Sequence, residues 1–272
     1  MWRKIVSLVL LCTFFLSAQA SASANTTEIP IIMYHKVTKD AGQWGKFAIA
    51  PWELQKDFTF LKENGYTPVF MQALIYYVHF GISLPEKPIV LTFDDGFFGD
   101  FHYVYPLAVA EEIPVVISVI GGECERYSKE TRSDIIFPHL TWKQIAEMAG
   151  SGFVEVQSHS SDLHKTQHGA AGARQRKGES DIAYKSRLEA DLLPLQDAIF
   201  MHTGKTPTTF TYPFGAKSDV SDEILQSLGF QASLMTENRF SEISVGDTDS
   251  LFSLNRLIRP HGKSLEQILG GL

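Results

Sequence analysis

Pro88-Ile89-Val90-Leu91-Thr92-Phe93 is a short, almost wholly apolar run, and Asp94-Asp95-Gly96 follows it directly. A run of that length, bounded by turn residues, reads as a strand buried on both faces. Similar runs recur. Ile29 to Tyr34, Pro114 to Ile120, Phe153 to Gln157 and Thr209 to Tyr212 all read as strands. Helical spacing fills the stretches between them. Trp52 to Asn64 carries Leu54, Phe58 and Leu61 on one face and stops at Asn64-Gly65. Val104 to Glu112 follows, then a helix opened by Thr141 as N-cap and closed at Gly150 to Gly152. Asp181 to His202 is amphipathic and ends before Gly204. Ser221 to Leu228 is a helix with Ser221 as cap and Gly229 as stop. Gln167 to Ser180 is rich in glycine and charge and reads as a surface loop. This alternation predicts an α/β fold, a mostly parallel sheet with covering helices.

The 272 residues, 44% hydrophobic and 20% charged, fit one large α/β domain better than two small ones. A formal net charge of -7 argues against nucleic acid as a partner and suits anionic lipid poorly. The N-terminus reads as a signal peptide over residues 1–24, leaving residues 25–272 as the functional domain. Arg3 and Lys4 form the basic end, Ile5 to Leu16 the apolar core, and Ala18-Gln19-Ala20 or Ala22-Ser23-Ala24 the cleavage region. The apolar stretch is short for a bilayer span, though an uncleaved anchor is the alternative. The expectation is export to the periplasm, cell envelope or medium, of bacterial type, without stable membrane insertion after cleavage. Cys12 leaves with the leader, so Cys124 stands alone and reads as a small buried apolar residue.

In parallel α/β folds, ligands sit at the C-terminal ends of strands. Here His35 follows the first strand, Asp94 and Asp95 the second, His159 the fourth, and Tyr212-Pro213 closes the fifth. Adjacent buried carboxylates are costly unless a cation or shared proton relieves them. A surface turn is the plainer reading. Neighbours on a strand point to opposite faces, so both acids face one site only if the chain bends there, which Gly96 permits. His159 and His164, in Ser158-His159-Ser160-Ser161-Asp162-Leu163-His164, are not at helical spacing. They converge if a tight turn returns His164. Two histidines and a carboxylate then suit a divalent ion. Two unrelated surface histidines are the alternative, and His168 shows that the region is His-rich.

Taken together, these residues resemble a known family. Thr92-Phe93-Asp94-Asp95-Gly96, Ser158 to His164 and Thr211-Tyr212-Pro213-Phe214-Gly215 are similar, in order and separation, to three motifs of the polysaccharide deacetylases (carbohydrate esterase family 4, the NodB-homology fold). The resemblance covers roughly Ile29 to the C-terminus. It implies a single-domain distorted (β/α) barrel of about seven parallel strands. It implies a divalent metal, zinc foremost, on Asp95, His159 and His164, with Asp94 as general base. Three departures stand out. Four residues separate the two histidines where the family usually has three. Tyr212 stands where an Arg usually precedes the Pro. Leu257-Ile258-Arg259-Pro260-His261 only approximates the late Leu-x-His motif. The longer spacing and Met33-Tyr34-His35 resemble the branch acting on poly-β-1,6-N-acetylglucosamine, in which a residue like His35 serves as acid.

The implied reaction is hydrolysis of N-acetyl groups on an N-acetylglucosamine polymer (poly-β-1,6-linked, chitin-like or peptidoglycan), releasing acetate. The turn Tyr212, Pro213, Phe214, Gly215 meets the substrate and offers a backbone N–H to the oxyanion. A protonated His35 or His261 gives its proton to the leaving amine. An O-acetyl esterase on acetylxylan-type polymers and a non-catalytic carbohydrate binder are the rival readings. Phe97 and Phe98, beside the acids, are placed either to pack or to stack on sugar.

Overall fold

The apolar runs become neighbouring strands of one sheet. In the computed structural model, residues 26–130 and 138–270 are described. The leader expected over residues 1–24, cleaved or retained, lies outside them. The strands are β1 (Ile31–Tyr34), β2 (Pro88–Phe93), β3 (Val115–Val119), β4 (Val154–Ser158), β5 (Thr209–Thr211), β6 (Ala232–Leu234) and β7 (Leu257–Ile258). Their order across the sheet is β6-β5-β4-β3-β2-β1-β7, and every pairing is parallel. A bridge between Leu234 and Leu254 joins β6 to the segment entering β7. The sheet therefore curls into a distorted (β/α) barrel, as the family resemblance implied.

Register explains why the polar residues meet. Tyr34 lies beside Phe93, Phe93 beside Ile117, and Val119 beside Ser158. The strands thus end near a common level, and His35, Asp94 and His159 leave it together. Alternating strand residues take opposite sides. Ile89, Leu91, Phe93, Val115, Ile117, Val154 and Val156 pack with the outer helices. Ile31, Val90, Val116, Ala232 and Leu234 pack inside, against Met71, Leu74, Ile75 and Val78 of a helix over Met71–Phe80. The Glu155 carboxylate of β4 accepts from Gln72 N at 3.2 Å, at the positive end of that helix.

Several local expectations change. The first apolar run divides at Pro30, and Thr26–Ile29 pairs antiparallel with Ser241–Ser244. Ser221 does not cap its helix. Its buried hydroxyl accepts from Ser218 N at 2.7 Å and meets the Tyr184 hydroxyl at 2.6 Å. The 167–180 stretch is not wholly surface: Ala170 and Ala173 are buried, and a short hairpin pairs Thr166–Gln167 with Ala170–Ala171. Thr141 does cap its helix, accepting from Gln144 N at 3.3 Å. Cys124 is free and fully buried.

After Asp95 the chain makes a π-helical turn, Asp100–Val104. A Cβ at Gly99, which leads into it, would lie 2.2 Å from the Val37 carbonyl oxygen. Gly99→Ala should therefore destabilise by about 1–3 kcal/mol, because backbone rather than a flexible side chain must yield. A Cβ at Gly150 meets nothing within 4 Å. Gly150→Ala, at the end of a helix, should be neutral or gain up to about 1 kcal/mol. Thermal melts of both variants check the contrast.

Candidate functional site

Three loops at the rim are held in left-handed backbone by residues other than glycine. Asp95 has φ 74°, Ser160 φ 68° and Phe214 φ 60°. Each costs on the order of 1–3 kcal/mol, and such strain concentrates where side chains must be aimed. At Asp95-Gly96 it produces the bend that turns both carboxylates to one site. Gly96 itself has φ 66°, and its missing Cβ would lie 3.1 Å from Val119 Cγ1. Asp94 and Asp95 are 2% and 8% exposed, so the surface-turn alternative fails.

Asp95, His159 and His164 converge. One ligand atom from each lies within 4.8 Å of the others. Both histidine Nε2 atoms approach Asp95 Oδ1 to 3.3 Å. That oxygen is buried and has no hydrogen-bond partner among the described residues. His159 Nδ1 lies 2.8 Å from the Thr211 carbonyl, to which it donates, so the Nε2 lone pair faces the cluster. Burial works against charge on His159, but Asp95 and Asp94 outweigh it and raise its pKa. A shared anionic oxygen, two imidazole nitrogens beside it and the negative charge of Asp95 fit a divalent cation.

Asp94 is compensated differently. Arg256, fully buried, donates from Nη1 to Oδ1 and from Nη2 to Oδ2, each at 2.7 Å. Nη1 also donates to Thr92 Oγ1 at 3.0 Å. Burial alone would raise the Asp94 pKa, but Arg256 overrides it and holds the carboxyl far below the usual range. This guanidinium is the counter-charge of Asp94. Sequence reasoning missed it. The available signal was a lone cation between Leu254 and Leu257, where the flanking pattern is buried.

His35 Nε2 lies 3.9 Å from Asp94 Oδ2, and the ring packs 4.8 Å from that of Phe47. Burial lowers the His35 pKa, with Asp94 and Asp95 pulling the other way. In the 212–215 turn, Tyr212 N donates to Leu234 O and Gly215 N to Tyr212 O. Pro213 has no N–H, so the Phe214 amide is the donor of this turn without a partner among the described residues. Gly215 is obligatory, since a Cβ would lie 2.2 Å from Thr236 Oγ1. The Tyr212 side chain is buried and donates to Asp222 at 2.8 Å, leaving the half-exposed Phe214 ring against His164 at 4.3 Å.

These groups line a cavity of about 770 Å³ with His35, Asp94, Asp95, His159, His164 and Phe214 on its wall. His261 is not brought to it. Its Nδ1 bonds Glu53 Oε2 at 2.7 Å, and its ring stacks on Trp44 at 4.9 Å. Neighbouring Arg259 is buried against Asp57, with Nε to Oδ2 at 2.7 Å, and Tyr34 donates to the same carboxylate at 3.0 Å. A further carboxyl, Asp100, also escaped sequence reasoning. It is fully buried with neither oxygen hydrogen-bonded, and burial together with Asp95 raises its pKa well above the usual range.

With this geometry, comparison with known proteins is informative. Residues 81–233 match the polysaccharide deacetylase family, a span that holds Asp94, Asp95, His159, His164 and the 212–215 turn.

The chain belongs to the polysaccharide deacetylase family.

It is similar to the poly-β-1,6-N-acetyl-D-glucosamine N-deacetylase of Escherichia coli K12, 26% identical over 256 residues. That match covers 87% of this chain and 37% of the relative, so the chain spans little more than a third of that protein's length. A de-N-acetylase from Aggregatibacter actinomycetemcomitans is similar in structure, with TM-score 0.74, 26% identity, and coverage of 90% of this chain and 100% of that one. IcaB from Ammonifex degensii follows with TM-score 0.69, 25% identity, and coverage of 86% and 92%. His35, Arg256 and His261 fall outside the family match. Within this polysaccharide deacetylase fold, β1 and the approach to β7 contribute His35 and Arg256.

Removing Arg256 strands a buried carboxylate, which typically costs about 3–5 kcal/mol. Arg256→Met should lose stability of that order in urea unfolding at neutral pH, and Arg256→Lys less. The folded Asp94 pKa is depressed, so the pair's contribution is present above the unfolded carboxylate value and lost as pH falls. The stability gap between wild type and Arg256→Met should therefore narrow as acid is added from pH 7.

Proposed function

We propose that this chain is a metal-dependent polysaccharide N-deacetylase acting on an N-acetylglucosamine polymer, with poly-β-1,6-N-acetylglucosamine the first candidate. The observation that carries this reading is the convergence of Asp94, His35 and the Asp95-His159-His164 cluster on one cavity wall. Two relatives whose names specify that N-deacetylation or a de-N-acetylase support the substrate class. An exported location accords with a polymer substrate and with the expected leader.

Asp95, His159 and His164 hold the ion, for which zinc suits a carboxylate and two imidazoles. Bound there, it supplies Lewis-acid polarisation of the acetyl carbonyl and acidification of water. Asp94, kept ionised and oriented by Arg256, accepts the proton of the attacking water. Arg256 makes this carboxylate a weak base, and the acidification of water that a bound ion would supply would offset that. The Phe214 amide, free and at the rim, donates to the developing oxyanion. His35 gives the leaving amine its proton. Its lowered pKa makes it a stronger acid, present in smaller fraction at neutral pH. A pure binder has no use for a compensated carboxylate beside a cation cluster, which favours an enzyme over that rival.

Acetate release over a panel of β-1,6-linked N-acetylglucosamine, chitooligosaccharides, peptidoglycan and acetylxylan, with and without added zinc, tests the reading. Release from acetylxylan alone would replace it with an esterase. His159→Ala should lose most bound metal, measured by elemental analysis, while keeping its fold. Asp94→Asn should retain metal and lose about a hundredfold to ten-thousandfold in turnover. His35→Ala should harm amide turnover more than His261→Ala, with a smaller defect on an activated aryl acetate, whose leaving group needs no proton. The reverse order would move the acid to His261.

A further inference from the structure

Phe47 is an anomaly that the reaction does not use. Its ring is 50% exposed, yet it lines the cavity and packs against His35. The loop presenting it is firmly built. Lys36–Val37 pairs with Ala48–Ile49, and Lys36 N donates to Phe47 O at 3.0 Å. Gly45 N donates to Ala48 O at 2.9 Å, and Trp44 Nε1 to Thr38 O at 2.8 Å. From outside, His261 N donates to Gly45 O at 2.9 Å while its ring stacks on Trp44. His261 is fixed in turn by Glu53, which is 3% exposed and also accepts from Gly262 N at 2.9 Å. A chain of partly buried contacts thus ends in an apolar ring held out to solvent beside the reacting groups.

We propose that Gln43 to Phe47 is a sugar-binding wall, on which Phe47 packs against a pyranose face next to the reacting acetamide, and that His261 acts through Trp44 as the positioning residue of this wall. This rests on the polysaccharide reading above and specifies how the polymer is held. A β-linked N-acetylglucosamine ring carries its substituents equatorially, so its two faces present axial C–H groups. Such a face is apolar and flat, and a half-exposed phenyl is its natural partner. The hydroxyl edge needs hydrogen-bond partners, and Gln43 and Lys46 stand on the same cavity wall. Lys46 Nζ lies 4.9 Å from the Phe47 ring centre, a weak exposed contact that a sugar displaces. Phe214, 51% exposed against His164, offers a second ring on the metal side. A polymer passing the site meets one phenyl on the acid's side and one on the metal's. Because the wall is preformed, little ordering is needed when sugar arrives.

The test uses the zinc-loaded full chain with β-1,6-linked N-acetylglucosamine from monomer to pentamer. Phe47→Ala should raise KM for the pentamer about tenfold, the effect of losing one aromatic contact, and flatten the gain of kcat/KM with chain length. Its kcat should change less than KM, and Phe47→Tyr should restore the length dependence. His261→Ala should give the same pattern at smaller amplitude, together with a shift in Trp44 fluorescence on adding oligomer. Equal loss of kcat on monomer and pentamer would make Phe47 a mere support for His35 and overturn the proposal. So would a pentamer KM within twofold of wild type. Calorimetric titration of the pentamer into wild type and Phe47→Ala separates the two readings. Binding that depends on Phe47 without acetate release would retain the wall and refute the deacetylase. Acetate release with binding indifferent to Phe47 would do the opposite, and no binding by wild type would refute both.

Discussion

Two carboxylates side by side at the end of a buried strand are a charge problem, and the rim of this barrel is organised around its solution. Ionised carboxylates that leave water need partners close by. Asp94 receives a guanidinium fork from Arg256, and Asp95 receives two imidazole nitrogens and a place for a cation. Asp100 has no such partner, and burial together with Asp95 pushes its pKa well above the usual carboxylate range. Three acids within one neighbourhood thus meet burial in three different ways. The left-handed turns at Asp95, Ser160 and Phe214 are where the backbone accommodates this arrangement.

How much of this the sequence discloses depends on the length of each element. Runs of five or six apolar residues, such as Pro88 to Phe93, mark buried strands clearly. The strands Ala232–Leu234 and Leu257–Ile258 are too short to show a pattern, and both lie at the seam of the barrel. The Met71–Phe80 helix closes the interior and is apolar on most of its circumference, so no polar face announces its period. At the site, His35, Asp94 and His159 were legible because each directly follows a recognisable strand, and Asp95 and His164 because they lie a short step beyond. Arg256 was not, because its partner lies 162 residues away and nothing local to it signals a salt bridge.

His261 shows the opposite failure. Arg259-Pro260-His261-Gly262 looks like an approximate catalytic motif, yet its polar groups are engaged with Asp57 and Glu53 on the Pro51–Glu63 helix. A motif read by residue type cannot distinguish a group aimed at a cavity from one tied to a helix N-terminus. The hydrogen-bond partners can. They also account for the departure of the third motif, since Tyr212 has turned inward to Asp222 while its neighbour Phe214 keeps both ring and amide at the rim.

The long separation between Asp94 and Arg256 has a bearing on when the protein becomes competent. The sheet is sealed where the segment before β7 meets β6 and where β7 pairs with β1, joining early and late parts of the chain. Pairings between such distant segments form slowly, because a long loop must close before any contact rewards it. Until Arg256 arrives, Asp94 has no counter-charge from that strand and every reason to remain in water. A partly synthesised chain therefore carries its acids unassembled, and the site is complete only once the last strand has docked.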